Sequence, residues 1–312
     1  MTKILITGCN GFIGAYTSEY FLKKNYKVQG VDIKLQNFIN LKRHKNFKFS
    51  KISIFDHKIK NMVKNCDYIF HFAGIADPSI YIKDPKRVID VTVNGSIKII
   101  DLAYKYKKKI IFTSTSEIYG KLNKNKFKEE DDRFLGPTNI QRWCYSTSKS
   151  LVEHYLLSLS KDNKLDFLCF RLFNVYGYGL EGRAMSNFIN NAIKNKNILI
   201  HGSGKSKRCY TYIDDFLEGL YSSFINFKSM KNSIYNIGSN FEISTKDLAN
   251  MIIKMTDSKS KLLYLDTSKY FKKGFEDIPK RVPDTSKLKS KIKWTAKINL
   301  KKGISKMIKN YD

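Results

Sequence analysis

Tyr145 and Lys149 stand four residues apart in the segment YSTSK, within a stretch of helical spacing, so both side chains fall on one helix face. A lysine ammonium beside a phenol favours the phenolate and lowers a reference tyrosine pKa of roughly 10. A phenolate so placed takes the proton of a hydroxyl group while hydride leaves the same carbon. Alone, YxxxK is frequent by chance, and an ordinary surface pair is its plain alternative. Two other features lift it above that. Thr115, Ser116 and Glu117 lie in TSTSEIYG at the end of an apolar run, with Thr115 30 residues before Tyr145. Near the N-terminus Gly8, Gly11 and Gly14 form GxxGxxG, where glycine permits a tight turn and the close approach of a pyrophosphate to a helix N-terminus. Asp32 follows Gly14 by 18 residues, where a carboxylate accepts the ribose hydroxyls of an adenosine and repels a 2′-phosphate. Glycines and carboxylate together predict dinucleotide binding, with NAD preferred to NADP; Lys34 argues weakly the other way. Asp56 has two readings, a partner for the adenine amino group or a cap for the helix that follows.

The elements that must position these groups read as alternating strands and helices. Residues 3–7 (KILIT) end in the glycine turn, and 15–24 carry apolar residues at helical spacing. Short strands follow at 27–31, 68–72, 109–113 and 166–171, separated by helical stretches such as 87–106 and 146–160. That rhythm implies an α/β fold with a parallel sheet covered on both faces. After Arg171 it loosens: GYGLEG at 177–182 and GSGKSK at 202–207 read as loops, and 184–194 as a helix. Ser244 to Asp247 (STKD) has capping-box spacing ahead of a helix at 248–255. The last 55 residues are Lys-rich and weakly periodic, with Pro279 and Pro283 around Arg281. A second, smaller lobe sharing a cleft with the first is expected from these segments. His71, at the end of an apolar strand, reads as structural, and Asp214 and Asp215 as caps of a helix beginning near Phe216.

Composition sets the outer limits. The chain has 312 residues and is 42% hydrophobic with 5 Pro and 17 Gly, which excludes disorder, collagen and low-complexity fibres. Its five cysteines are scattered, with no CxxC pair, so neither a disulfide framework nor a metal site is expected. The net charge of +29 invites a nucleic-acid reading, but the lysines run through nearly every segment among Asn, Ile, Tyr and Phe, the pattern of AT-rich coding bias. A generally basic surface is expected, with no nucleic-acid partner. No apolar run approaches the roughly 18 residues of a membrane span and no signal peptide is visible, so a cytoplasmic protein without a membrane partner is expected.

The motifs in order resemble the extended short-chain dehydrogenase/reductase family, the NAD-dependent nucleotide-sugar epimerases and dehydratases. They are TGCNGFIG, Asp32, HFAG at 71–74, Asn94, TSTSEIYG, Tyr145 with Lys149, RLFNVYG at 171–177, RCYTYIDD at 208–215 and KRVPD at 280–284, and they cover essentially the whole chain. Tyr178 departs from the pattern, since relatives commonly have Pro after NxYG; a changed loop is expected. The resemblance implies a Rossmann-type doubly wound sheet over 1–170 with about 209–240, and a nucleotide-sugar lobe over 171–208 and 241–312. It implies NAD contacts from Gly8, Asn10, Gly11, Phe12, Ile13, Gly14, Asp32, Asp56, Ala73, Tyr145 and Lys149. Asn174 and Arg208 match positions that bind the nucleotide diphosphate, and Arg183 and Arg281 are candidates for a carboxylate or the diphosphate, against the alternative of solvated surface charges. A homodimer through a four-helix bundle of 87–106 and 146–160 is implied as well.

Within the family, Thr115, Ser116 and Glu117 are similar to the UDP-glucuronate decarboxylase branch, as are KRCYTYI, the Arg of KRVPD and Arg142–Trp143 ahead of the tyrosine. Thr115 would orient the reacting hydroxyl, with Glu117 otherwise a structural carboxylate. Oxidation at C4 of a hexuronic acid puts a ketone β to the C5 carboxylate, which then leaves readily as CO2; Ser116, Glu117 and Arg281 are the expected assistants. A UDP-sugar is the expected substrate. The alternatives are 4-epimerisation, 4,6-dehydration or, in a different class, a non-catalytic NAD- or RNA-binding protein.

Overall fold

Strand Lys3–Thr7 (β1) has four consecutive buried residues rather than an alternating pattern, as expected of a strand covered on both faces. The computed structural model describes residues 1–35, 39, 41, 44–161, 164–266, 276, 278 and 280–311; Pro279 lies outside the described residues. After β1 come helix Phe12–Lys23 (α1), strands Lys27–Asp32 (β2) and Phe47–Lys51 (β3), helix Ile59–Lys64 (α2) and strand Tyr68–His71 (β4). Helices Pro78–Lys83 (α3) and Pro85–Ile89 (α4) lead through a π-helical turn, Asp90–Asn94, into Gly95–Lys105 (α5). Strand Lys109–Thr115 (β5) runs into a 3₁₀ turn at Ser116–Tyr119, and helix Trp143–Ser160 (α6) precedes strand Phe167–Leu172 (β6). The helix expected at 87–106 is therefore present as one continuous run over 85–105, with the π-helical turn inside it. Gly95 sits where a Cβ would come within 2.4 Å of Ile54 Cδ1, so the Ile54 side chain packs directly against the α5 backbone there.

Further on lie Val175–Tyr176 (β7), Ala184–Ile193 (α7), Ile198–His201 (β8), Lys207–Cys209 (β9), Thr211–Tyr212 (β10), Ile213–Ile225 (α8), Phe227–Met230 (α9) and Ser233–Ile237 (β11). Glu242–Ser244 (β12), Thr245–Met255 (α10), Leu262–Leu265 (β13) and Lys280–Arg281 (β14) follow, and the C-terminal region adds helices Ser286–Ile292 and Leu300–Ile308. Ser244 caps α10 as its sequence requires, its Oγ accepting the Asp247 amide at 3.0 Å.

The main sheet has seven strands in the order β11-β6-β5-β4-β1-β2-β3, and β1 pairs in parallel with both β2 and β4. This is the Rossmann-type order, in which the chain switches direction of build between β1 and β4, and ligands bind beyond the carboxyl ends of those strands. Strand β3 escapes sequence reading because Phe47–Lys51 is only partly buried and carries two lysines. One core cluster joins Leu5, Ile69, Ile110 and Phe112 of the sheet to Ile99 and Ile100 of α5 and to Val152 and Leu156 of α6. Full burial of such side chains contributes about 1.5–3 kcal/mol each, so the helices that carry the site are fixed by apolar packing.

Two compact units are present. The first comprises Met1–Ile118, Cys144–Arg171 and Leu220–Tyr235, the second Tyr119–Trp143, Leu172–Gly219 and Asn236–Asp312. Residues 119–143, 209–219 and 236–240, expected with the nucleotide-binding part, group with the second unit. The reason for the first of these is hydrogen bonding: the Tyr119 hydroxyl donates to Asn236 Oδ1 at 2.7 Å, and the Phe127 amide to the Val282 carbonyl at 2.8 Å. Asp214 and Asp215 lie inside the first turn of α8 rather than before it. Asp215 accepts the amides of Lys297 and Ile298, and Asp214 pairs with Lys306, so they anchor the C-terminal segment instead of capping.

Candidate active site

The glycine turn closes the end of β1. Gly8 has φ +71°, and a Cβ there would lie 2.7 Å from the Ala73 amide nitrogen; at Gly14 it would lie 2.0 Å from the Gly8 carbonyl oxygen. Both positions exclude a side chain on steric grounds. Gly11 caps α1 with backbone alone and no acidic residue occupies the first turn, which leaves the helix N-terminus suited to an anion. Asn10, Phe12 and Ile13 belong to the same turn. Asp32, at the end of β2, accepts the Asn10 amide at 2.9 Å and the Lys34 amide at 3.1 Å, so the carboxylate is fixed beside the turn. Asp56 accepts the Lys58 amide at 2.8 Å in the turn ahead of α2, whose own N-cap is Lys58 with no side-chain cap bond.

Behind the turn, Thr7 Oγ1 accepts the Ala73 amide at 3.3 Å and meets His71 Nδ1 at 2.6 Å, while His71 Nε2 meets Ser96 Oγ at 2.9 Å. Burial, aided by the Lys149 charge, pushes the His71 imidazole down to about 3, so it is neutral near pH 7. His71 thus ties β4, β1 and α5 together below Ala73.

Tyr145, Lys149, Val152 and Leu156 form the buried face of α6 at helical spacing. Lys149 Nζ donates to the Thr113 carbonyl at 2.8 Å and lies 4.4 Å from the Phe112 ring centroid, which locks the helix to the end of β5. Burial lowers the Lys149 ammonium to about 8, against raising influences from Cys169 and, after it, Glu153. The Tyr145 ring stacks on Tyr81 with centroids 4.6 Å apart and planes 11° apart. Beyond β5, Thr115 Oγ1 accepts the Glu117 amide at 3.2 Å and so starts the 3₁₀ turn; Thr115 and Ser116 are buried. Glu117 adds its charge to burial in raising the Cys144 thiol to about 11, which places the carboxylate near the residue preceding Tyr145. The structure therefore brings the Thr115–Glu117 turn and the Tyr145–Lys149 face together in the first unit.

The second unit holds the other candidates. Arg281 on β14 is in parallel register with Arg208 on β9, and both are buried. Both charges pull down the Tyr210 phenol, which burial raises. Glu242 binds the flanking Lys207 and Lys280 at 2.8 and 3.2 Å. Asn174 adopts φ +39° and donates to the Cys209 carbonyl at 2.8 Å. Arg183 sits half-buried at the start of α7. Tyr178, the departure from the family pattern, packs edge-on against Tyr311 near the C-terminus.

Sequence reasoning misses Tyr81, Glu153 and Glu276. Glu276 accepts Trp143 Nε1 at 3.1 Å and the Lys121 ammonium at 3.1 Å, while its carbonyl accepts Arg142 Nη1 at 2.7 Å. The only sequence signal for Glu153 is its spacing of four from Lys149.

A sheet that reverses over a glycine turn, with a phenol and an ammonium on an adjoining buried helix face, defines a dinucleotide-dependent α/β enzyme. The chain belongs to the NAD-dependent epimerase/dehydratase family, whose family model matches residues 4–238. NAD is accordingly its cofactor, and the glycine turn fits it. A UDP-N-acetyl-alpha-D-glucosaminuronate decarboxylase from Bacillus cytotoxicus is 33% identical over 98% of this chain and 96% of its own length. The bifunctional polymyxin resistance protein ArnA of Wigglesworthia glossinidia brevipalpis is 34% identical over 99% of this chain, which spans only 51% of that relative. The crystal structure of the PbgP3 protein from Burkholderia pseudomallei is similar with a TM-score of 0.88 and 30% identity, covering 99% of this chain and 96% of that one. No helix among the described residues is long and apolar enough to cross a membrane.

Proposed function

We propose that the chain decarboxylates a UDP-linked hexuronic acid. The observation that carries this reading is the run Thr115, Ser116, Glu117 at the end of β5, held next to the helix of Tyr145 and Lys149. Its full-length likeness to a UDP-N-acetyl-alpha-D-glucosaminuronate decarboxylase supports it. NAD held at the glycine turn would supply a reversible hydride acceptor for C4. Tyr145 takes the proton of the C4 hydroxyl, with the Lys149 ammonium favouring the phenolate. Thr115 orients that hydroxyl. Arg281 holds the C5 carboxylate until the C5–C bond breaks; the electron pair passes to the C4 oxygen as an enolate, and the Ser116 and Glu117 region delivers a proton to C5. Tyr145 then gives its proton back to the C4 oxygen. Arg208, Arg183 and Asn174 are assigned to the diphosphate, and Asp32 with Asp56 to the adenosine end of NAD.

Incubation with UDP-glucuronate and UDP-N-acetylglucosaminuronate, followed by mass spectrometry and NMR, tests the reading. Loss of CO2 is expected from one of them. An unchanged mass with inverted C4 makes the enzyme an epimerase, and loss of water makes it a dehydratase; either result without CO2 release rejects decarboxylation. We assign the chain a homodimeric state through the outer faces of α5 and α6, where Leu151 is half-exposed.

A further inference from the structure

One turn beyond Lys149 on α6, Glu153 forms a two-pronged ion pair with Arg171 of β6: Arg171 Nε lies 3.1 Å from Oε1 and Nη2 2.7 Å from Oε2. Glu153 is 4% exposed and Arg171 6%, while Lys149 is 4% exposed. Three formal charges are thus shut away from water within two elements. A buried pair of this kind stabilises little relative to an apolar pair, because desolvation offsets the attraction. Its effect on a third buried charge is larger, since screening there is weak.

We propose that Glu153 and Arg171 are positioning residues for Lys149, keeping its ammonium charged and directed at the reaction site. Glu153 favours the ammonium from the next turn of the helix. Arg171, locked on Glu153 through two hydrogen bonds, holds that carboxylate in place. The other groups facing Lys149 leave this balance in place. His71 of β4 is neutral, the Cys169 thiol of β6 is raised well above its usual value by burial and stays protonated, Thr113 of β5 offers an uncharged carbonyl, and Tyr145 is the group served. With Glu153 neutralised, Lys149 would lose a carboxylate that favours its ammonium. The inference rests on the role given to Lys149 in the proposed reaction, but its test does not need substrate.

The test is an NMR titration of the Lys149 side chain, assigned by the signal lost in Lys149→Met, in wild type, Glu153→Gln and the neutral pair Glu153→Gln/Arg171→Gln. The single variant should titrate about one pH unit lower than wild type. The neutral pair, which lacks the same carboxylate, should also titrate below wild type. A titration unmoved or raised in either variant overturns the proposal and leaves the pair a packing element. Should Glu153→Gln not fold, the neutral pair, which leaves neither partner's charge unopposed, carries the test alone: Lys149 must titrate below wild type, and an unchanged or higher value overturns it. NADH formation on adding the two UDP-hexuronates to wild type is followed separately, so failure of the proposed reaction is told apart from failure of this inference.

Discussion

Tyr145 is constrained on two sides by different physics: the parallel Tyr81 ring fixes its plane, and Lys149, tied to the Thr113 carbonyl, fixes the charge beside it. Removing only the hydroxyl leaves the stack intact. Tyr145→Phe is therefore expected to lower kcat by roughly 10²- to 10⁴-fold. NAD affinity, measured by calorimetry, should stay within a few-fold, whereas a pure binding protein would lose nothing. His71 gives a second prediction at this scale. Its folded-state value of about 3 lies below that of the unfolded chain, so the unfolded state binds the proton first and stability falls as pH drops below about 6.5. Between pH 7 and pH 5 wild type should lose about 2 kcal/mol more than His71→Gln, read by urea unfolding at both pH values. Tyr145 and Lys149 are legible in the sequence because helix periodicity puts them on one face. Tyr81 is not: it comes from a six-residue helix with no periodic signal, and its meeting with Tyr145 depends on a tertiary contact.

At the scale of elements, the glycine turn and β2 were legible for a local reason. Tight turns demand glycine, and an acidic strand end stands at a fixed distance beyond them. Gly8→Ala should weaken NAD binding at least about tenfold, because the left-handed backbone costs about 1–2 kcal/mol before the clash with Ala73 is counted. Calorimetry with NAD checks it. Asp32→Asn should narrow the preference for NAD over NADP, and unchanged discrimination would remove Asp32 from the adenosine site. Less legible were β3, whose lysines mask a short edge strand, and the attachment of residues 119–143. That attachment runs through Asn236, which donates to the Phe127 and Asp284 carbonyls and accepts from Tyr119. A buried asparagine joining three segments has no sequence signature, since each partner is a backbone group or a distant hydroxyl.

For the whole molecule, the family fold, its order of motifs and the presence of a second unit are readable in the sequence, while the grouping of 119–143 with that unit is not, because long-range hydrogen bonds decide it. The expected dimer gives a prediction at this scale: Leu151→Asp on the outer face of α6 should sediment as a monomer while wild type does not, and an unchanged species would rule that face out. The π-helical turn Asp90–Asn94 has a consequence for how the chain can vary. By adding a residue between α4 and α5 it shifts their helical phase by about 100°. Val88 then packs with Tyr81 and Tyr145, while Ser96, on the same continuous rod, reaches His71. A one-residue deletion there would restore an even helix and rotate one of the two contacts away. Chain length across Pro85–Lys105 is therefore constrained more tightly than residue type at its exposed positions, and single-residue insertions or deletions should be excluded from this stretch in any functional variant library.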